Sequence, residues 1–308
     1  MIEFKEFPKI PQFRNIKKDL QYLSEKNPLS SFIFEGTIKL HGTNAAVGYD
    51  AESGTIYCQS RKRIITPEED NMGFAAWVMS EESLWKRYFQ EVFYGESALL
   101  FGEWCGEGIQ KGVAISSIPK MFVIFEGYCE GWESVRAYPE VPLANTYNIY
   151  DFPLYTVTID ADSPELATER LRSFTEKVEE CCPVGEALTG TKGTGEGVVW
   201  TCLSDRKIKF KVKGEKHSVS KVKTLAEVDP VKLESIKDFV DYAVTENRLN
   251  QGIQEIGLSQ KTIGTYIGWV NKDIWEEERD VLEKNNLLMK DVAKIISNKA
   301  RKYYLERL

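Results

Sequence analysis

A change of hydrophobic period near residue 224 constrains this chain more than any other feature. Beyond it, Leu233, Ile236, Phe239, Val240 and Ala243 recur at three- and four-residue steps, and Leu288, Val292, Ile295 and Ile296 repeat the pattern, continuing to Tyr303. That is one apolar face of a helix in each case. Asp229 before Pro230 is a helix entry, a capping carboxylate followed by a first-turn proline. Before 224 the texture is different. Phe32–Phe34, Ala45–Tyr49, Thr55–Gln59, Ala98–Phe101, Met121–Phe125, Val198–Thr201 and Lys207–Val212 are short β-rich runs bounded by Gly, Asp, Ser or Pro. Met72–Tyr94 and Ser163–Glu180 read as helices among them. The spacing predicts an α+β fold with mostly antiparallel pairing over 1–223 and an all-helical domain over 224–308.

Composition narrows the function. The 308 residues are 42% hydrophobic and 28% charged, enough to bury a core. No run approaches the roughly 20 apolar residues of a spanning helix, and the opening MIEFKEFPKIPQF lacks the apolar block of a secretory signal. Six cysteines without a CxxC and only two histidines, His41 and His217, argue against structural zinc; with reduced thiols this fits a cytoplasmic protein. Net charge is −7, with 27 basic and 32 acidic residues up to 223 and 13 and 15 after it. Neither part coats nucleic acid through bulk charge, so any such contact rests on patches, Arg61-Lys62-Arg63 and Lys207–Lys216.

Lys39-Leu40-His41-Gly42-Thr43-Asn44 carries the most chemistry. A lysine closing an apolar strand, with a small-residue turn after it, presents its amine to a ligand held over the turn. Such an amine is a covalent nucleophile when a site favours its neutral form. Asp50–Gly54 is a hairpin signal that returns Arg61 beside Asn44, with Arg63 just past it. Two strands end or begin on carboxylates, Glu103 and Glu196, suited to a sugar hydroxyl and a hard divalent cation. In Lys207–Lys213, period two puts four lysines on one face and Ile208, Phe210 and Val212 on the other. Such a row matches a polyphosphate, or else keeps an edge strand soluble.

KLHGTN, SRKR, LFGEWCG, FVIFEG, GEGVVW and IKFKVK occur in the order of the motifs of covalent nucleotidyltransferases, the superfamily of ATP-dependent ligases and mRNA capping enzymes. Spacing agrees, with 64 residues from Lys39 to Glu103, 22 to Phe125, 71 to Glu196 and 13 to Lys209. KxHGTN with a helical C-terminal part resembles the RNA ligase 2 family of T-even phages and the kinetoplastid editing ligases. DNA ligases and capping enzymes, the alternative within the superfamily, show KxDG followed two residues later by arginine, where this chain has Asn44, and continue into a barrel. A catalytically silent nucleic-acid-binding homologue is a third reading.

The resemblance implies an antiparallel-sheet adenylation domain over 1–223 and a helical domain over 224–308. It implies an RNA ligase using ATP and Mg²⁺ or Mn²⁺ to seal RNA ends, in a nick or on a bridging strand, as a monomer off the membrane. Lys39 would attack the α-phosphate, Glu103 contact the ribose, Phe125 stack on adenine and Glu196 help place the metal. Lys209 and Lys211 would bind phosphate, while His41, Asn44 and Arg61 would serve the later steps. Phe122 competes with Phe125 for the stacking role, and Arg63 with Arg61. Ile38 and Glu126 stand where the family commonly has acidic residues and Asp.

Overall fold

The computed structural model describes residues 3–26, 30–129, 132–135, 143–217, 236–285 and 287–308. Helix α1 (Lys17–Lys26) precedes strands β1 (Ser31–Lys39), β2 (Thr43–Asp50), β3 (Thr55–Ser60) and β4 (Ile64–Ile65). Next come α2 (Phe74–Ser80), α3 (Glu82–Val92), β5 (Ala98–Cys105), β6 (Met121–Cys129), β7 (Trp132–Val135), β8 (Thr146–Asn148) and β9 (Tyr155–Asp160). Helices α4 (Thr168–Glu180) and α5 (Pro183–Thr189), strands β10 (Gly197–Cys202) and β11 (Lys209–Lys213), and helices α6 (Ile236–Ala243), α7 (Glu246–Ile256), α8 (Ile263–Lys284) and α9 (Met289–Leu305) complete the described elements.

Two sheets result, β11-β10-β1-β9 and β4-β3-β2-β5-β6-β7, with β8 added to β6 in parallel. The other recorded pairings are antiparallel, so the α+β expectation holds. Ala45–Tyr49 are buried in succession because both faces of β2 are covered. One face packs on an aromatic core of Phe74, Trp77, Trp85, Tyr88, Phe89, Trp104 and Phe122. Each ring fully withdrawn from water there contributes on the order of 2–3 kcal/mol. The opposite face carries a smaller cluster of Ala46, Leu99 and Phe101, against which Phe7, Tyr57 and Phe125 pack.

The helix expected over Met72–Tyr94 is two helices. Glu81 leaves helical geometry (φ −119°, ψ 25°), and the Ser80 hydroxyl donates to the Trp77 carbonyl, drawing off an acceptor at the break. The second expected helix opens with a 3₁₀ turn, Pro164–Ala167, before α4.

Spatially the chain forms two compact units. The first comprises Met1–Ile10, Phe32–Thr158 and Ser173–Lys211; the second comprises Pro11–Ser31, Ile159–Arg172 and Val212–Leu308. The boundary near 224, the Asp229-Pro230 entry and Leu233 fall in 218–235, outside the described residues. In the second unit, Phe239, Val240, Ala243, Val292, Ile296 and Tyr303 do form one helical core, as their spacing predicts. The unit also takes in α1 and the turn before it. Arg14 donates to Glu278 Oε2 at 2.8 Å and to the Tyr242 hydroxyl at 3.1 Å, while Arg248 donates to Glu278 Oε1 at 2.9 Å and Asp273 at 2.8 Å. Arg248 and Glu278 are both fully buried. Burial alone would raise the Glu278 carboxyl; the two guanidinium groups and the Tyr242 hydroxyl outweigh it and hold that carboxyl below its ordinary range.

Candidate functional site

Lys39 closes β1, paired with Gly197 at the start of β10. Its ammonium therefore sits where two strands of one sheet meet the Leu40-His41-Gly42 turn. Lys39 Nζ donates to Glu196 Oε2 at 2.7 Å, and His41 Nδ1 lies 3.6 Å from the same oxygen. Glu196 is almost completely buried while about a fifth of the Lys39 side chain remains exposed. The acid is fixed and the amine opens to solvent.

The turn is held from the other sheet. Glu103, on β5, accepts the Gly42 N–H at 3.0 Å through Oε1. Any side chain at 42 would run into the Trp104 carbonyl and come within 2.6 Å of Cys105 Cβ, which is why glycine stands there. Gln110 Nε2 donates to the Gly42 carbonyl at 3.4 Å, and Asn71 Nδ2 to Thr43 Oγ1 at 3.1 Å. Burial pushes the Glu103 carboxyl up to about 7; Lys39 opposes this and Glu196 adds to it. The cleft thus holds one committed carboxylate, Glu196, and one poised between its charged and neutral forms.

Pairing places other expected residues on the same sheet face. Asn44 lies opposite Glu103, and alternation sets Ala46 and Phe101 beside them. Ala45 pairs with Ser60, so the hairpin brings Arg61 next to the end of the ladder near Asn44, at the turn that the Ser60 N–H closes on the Arg63 carbonyl. Arg61 is exposed; Arg63, also exposed, lies 3.6 Å from Glu69. The two aromatic candidates separate cleanly. Phe122 is fully buried in the aromatic core, 5.0 Å from Phe74. Phe125 lies on the opposite face, against Ala46, Leu99 and Phe101, and is partly exposed.

The lysine row alternates as expected, with Phe210 and Val212 buried and Lys209, Lys211 and Lys213 half-buried. The Cys202 N–H bonds the Ile208 carbonyl, and this hairpin register sets Lys209 level with Thr201 and Lys211 level with Val199. Lys211 is therefore nearer the Gly197 end of β10, where Lys39 pairs. The Lys209 ammonium donates to Glu126 Oε2 at 2.8 Å and to the Arg206 carbonyl at 2.7 Å. Lys207 lies before the strand, in an exposed turn. Arg206 in turn donates to the Tyr150 hydroxyl at 2.6 Å. Gln110 and Asn71 at the turn, and Arg206 and Tyr150 beside Lys209, carried no sequence signal, because residues distant in the chain come to these places only through the fold.

A family profile described as RNA ligase matches residues 33–223. The chain belongs to the RNA ligase family. Among solved structures it is similar to the Naegleria gruberi RNA ligase: an alanine variant with ATP and Mn, another with AMP and Mn, and the protein with PPi each align at 16% identity with TM-scores of 0.47. Each alignment covers 70% of this chain and 57% of the Naegleria chain. No curated protein matched by sequence.

Proposed function

We propose that this chain is an ATP-dependent RNA ligase that works through a lysyl-AMP intermediate. One observation carries the reading: Lys39 stands on Glu196 at 2.7 Å beside a turn whose Gly42 N–H is fixed by Glu103. In the first step the neutral Lys39 amine attacks the α-phosphorus of ATP, the bond to the β-phosphate oxygen breaks, pyrophosphate leaves and the amine gives up a proton. The RNA 5′-phosphate then displaces Lys39 to form adenylated RNA. Attack by a 3′-hydroxyl expels AMP and seals the strand. Covalent capture divides an uphill joining into feasible displacements.

The residues fit roles of positioning and charge neutralisation. Lys211 and Lys209 face the polyphosphate from β11, Glu103 contacts the ribose and Phe125 stacks on the base. His41, Asn44 and Arg61 serve the transfer to RNA. Among the described residues no three His, Cys, Asp or Glu side chains cluster into a metal cage. Glu196 with Glu103 instead suits Mg²⁺ or Mn²⁺, hard cations that take one or two carboxylates and complete their shell with phosphate and water. Such an ion would neutralise phosphate charge. The site residues from Lys39 to Lys211 all fall in the first compact unit. We assign the helical part after 224 to gripping RNA, which needs cationic contacts the acidic cleft half supplies sparingly.

The test is incubation with α-labelled ATP or GTP and Mg²⁺, followed by acid precipitation. ATP should leave label that precipitates with the wild type and none on Lys39→Ala, which should still seal pre-adenylated RNA. Label from GTP alone would favour a capping activity. No label from either would overturn the reading.

A further inference from the structure

Residues 3–10 contain no helix or strand apart from their fastening to the first unit, yet they are held there by specific contacts. The Gln59 side chain, 1% exposed, makes a two-way bond with the main chain of residue 5: the Lys5 N–H donates to Oε1 at 3.3 Å, and Nε2 donates to the Lys5 carbonyl at 2.5 Å. The Lys5 ammonium rests on the Tyr128 ring. Two residues past this double anchor at Lys5, Phe7 packs on the Asn44–Glu103 face of the sheet. Its ring lies 5.2 Å from Phe101 and 5.0 Å from Phe125, edge-on to the latter at 65°.

The ladder explains what Phe7 does there. In β5–β6 pairing, Phe101 faces Glu126 and Gly102 faces Ile124, so Phe125 is the extra residue of a β-bulge with no cross-strand partner. Bulges re-aim a side chain and free it from the lateral packing that fixes its neighbours. Phe125 packs against the small cluster that holds Phe101, and Phe7 meets both rings, supplying a lateral wall for Phe125.

We propose that Phe7 is the positioning residue for Phe125, so that the segment before residue 11 belongs to the nucleotide pocket and sets its grip on the purine base. The proposal rests on the ligase reading above. A ring held edge-on keeps the Phe125 face ready for stacking; without it the bulged side chain samples other rotamers, and the base must order it on binding.

The experiment measures lysyl-AMP formation against ATP concentration, with inorganic tripolyphosphate as a competitor lacking a base. Phe7→Ala should raise the KM for ATP about tenfold, leave kcat within about twofold and leave the tripolyphosphate Ki unchanged, as expected for about 1.4 kcal/mol of lost base binding. Phe7→Tyr should restore the wild-type KM. In a Phe125→Ala background, Phe7→Ala should add nothing, since both act through one ring. Phe7→Leu, which keeps apolar bulk, serves if the alanine variant folds poorly, and should show the same KM shift at a wild-type melting temperature. An unchanged KM, losses that multiply in the double variant, or a Ki that moves with KM would overturn the role of Phe7 while leaving the ligase reading intact. A wild type that takes no label from ATP overturns both.

Discussion

Lys39 and Glu196, 157 residues apart, meet at 2.7 Å because β1 and β10 pair antiparallel with Lys39 opposite Gly197. The contact holds the amine as the partner of a buried acid. A bound triphosphate, by drawing cations to itself, competes for that amine, and the acid is then left to receive a proton or a divalent ion. Glu196→Gln keeps the shape and removes the charge. Single-turnover labelling from ATP should fall by about two orders of magnitude, the usual scale for one electrostatic partner at a reacting group. Labelling at the wild-type rate would show that Glu196 has no part in activating Lys39.

Glu103 should give stability a pH dependence. Its carboxyl moves from an ordinary 4.5 to about 7 in the folded chain, so the folded state binds the proton more tightly than the unfolded state. The stabilising contribution is complete below pH 4.5 and disappears as pH rises through 7, amounting to at most about 3 kcal/mol. Urea midpoints at pH 5 and pH 8 measure it. Glu103→Gln, which still accepts the Gly42 N–H, should gain on the wild type at pH 8 and not at pH 5. Parallel profiles for the two proteins would contradict this account.

On β11 the lysines should differ. Lys211→Ala should slow lysyl-AMP formation about a hundredfold, whereas Lys209→Ala, whose ammonium already serves Glu126 and the Arg206 carbonyl, should lose about tenfold. Glu126→Gln should resemble Lys209→Ala, and the double variant should be no worse than either. Equal losses at Lys209 and Lys211, with no effect at Glu126, would point to a diffuse cationic strip.

In the second unit, Arg14→Met leaves Glu278 with Arg248 and Tyr242 and should cost about 1–3 kcal/mol. Arg248→Met strips the fully buried pair and also releases Asp273, for about 3–5 kcal/mol. Because the Glu278 carboxyl is held low, its contribution is present above pH 4.5 and fades as pH falls through its folded value. Thermal melts at pH 7, 4.5 and 3 should show both variants separated from wild type by a similar gap at the two higher values and by a narrower one at pH 3. A gap unchanged at pH 3 would assign the loss to packing.

Much of this was legible in the sequence because local periodicity set it. The hairpin around Asp50–Gly54, the alternating lysines of β11 and the helical stripe through Phe239 and Val240 each follow from spacing over a few residues. Other features depend on residues far apart. Helix α1 shows only Leu20 and Leu23 buried among charged neighbours, too short a stripe to read. The break at Glu81 turns on a hydroxyl bonding backward. Phe122 and Phe125, three residues apart, fall on opposite faces by alternation, but which of those faces carries the large aromatic core follows only from the folded sheet. Arg14 has no sequence signal at all: a lone arginine near the start becomes a buried ion only when a carboxylate 264 positions later arrives.

That separation orders events during synthesis. At ~5–20 residues per second, the 264 residues between Arg14 and Glu278 take on the order of 10–50 s to translate. The first unit has all of its segments outside the ribosome once the chain has passed Lys211 by the length of the exit tunnel. The second does not, since its own segments continue into the helices after Lys211. Phe13, Ile16 and Leu20, all buried in the finished protein, are made long before those helices. During that interval they are a segment a nascent-chain chaperone would meet, while every segment of the first unit has already been made.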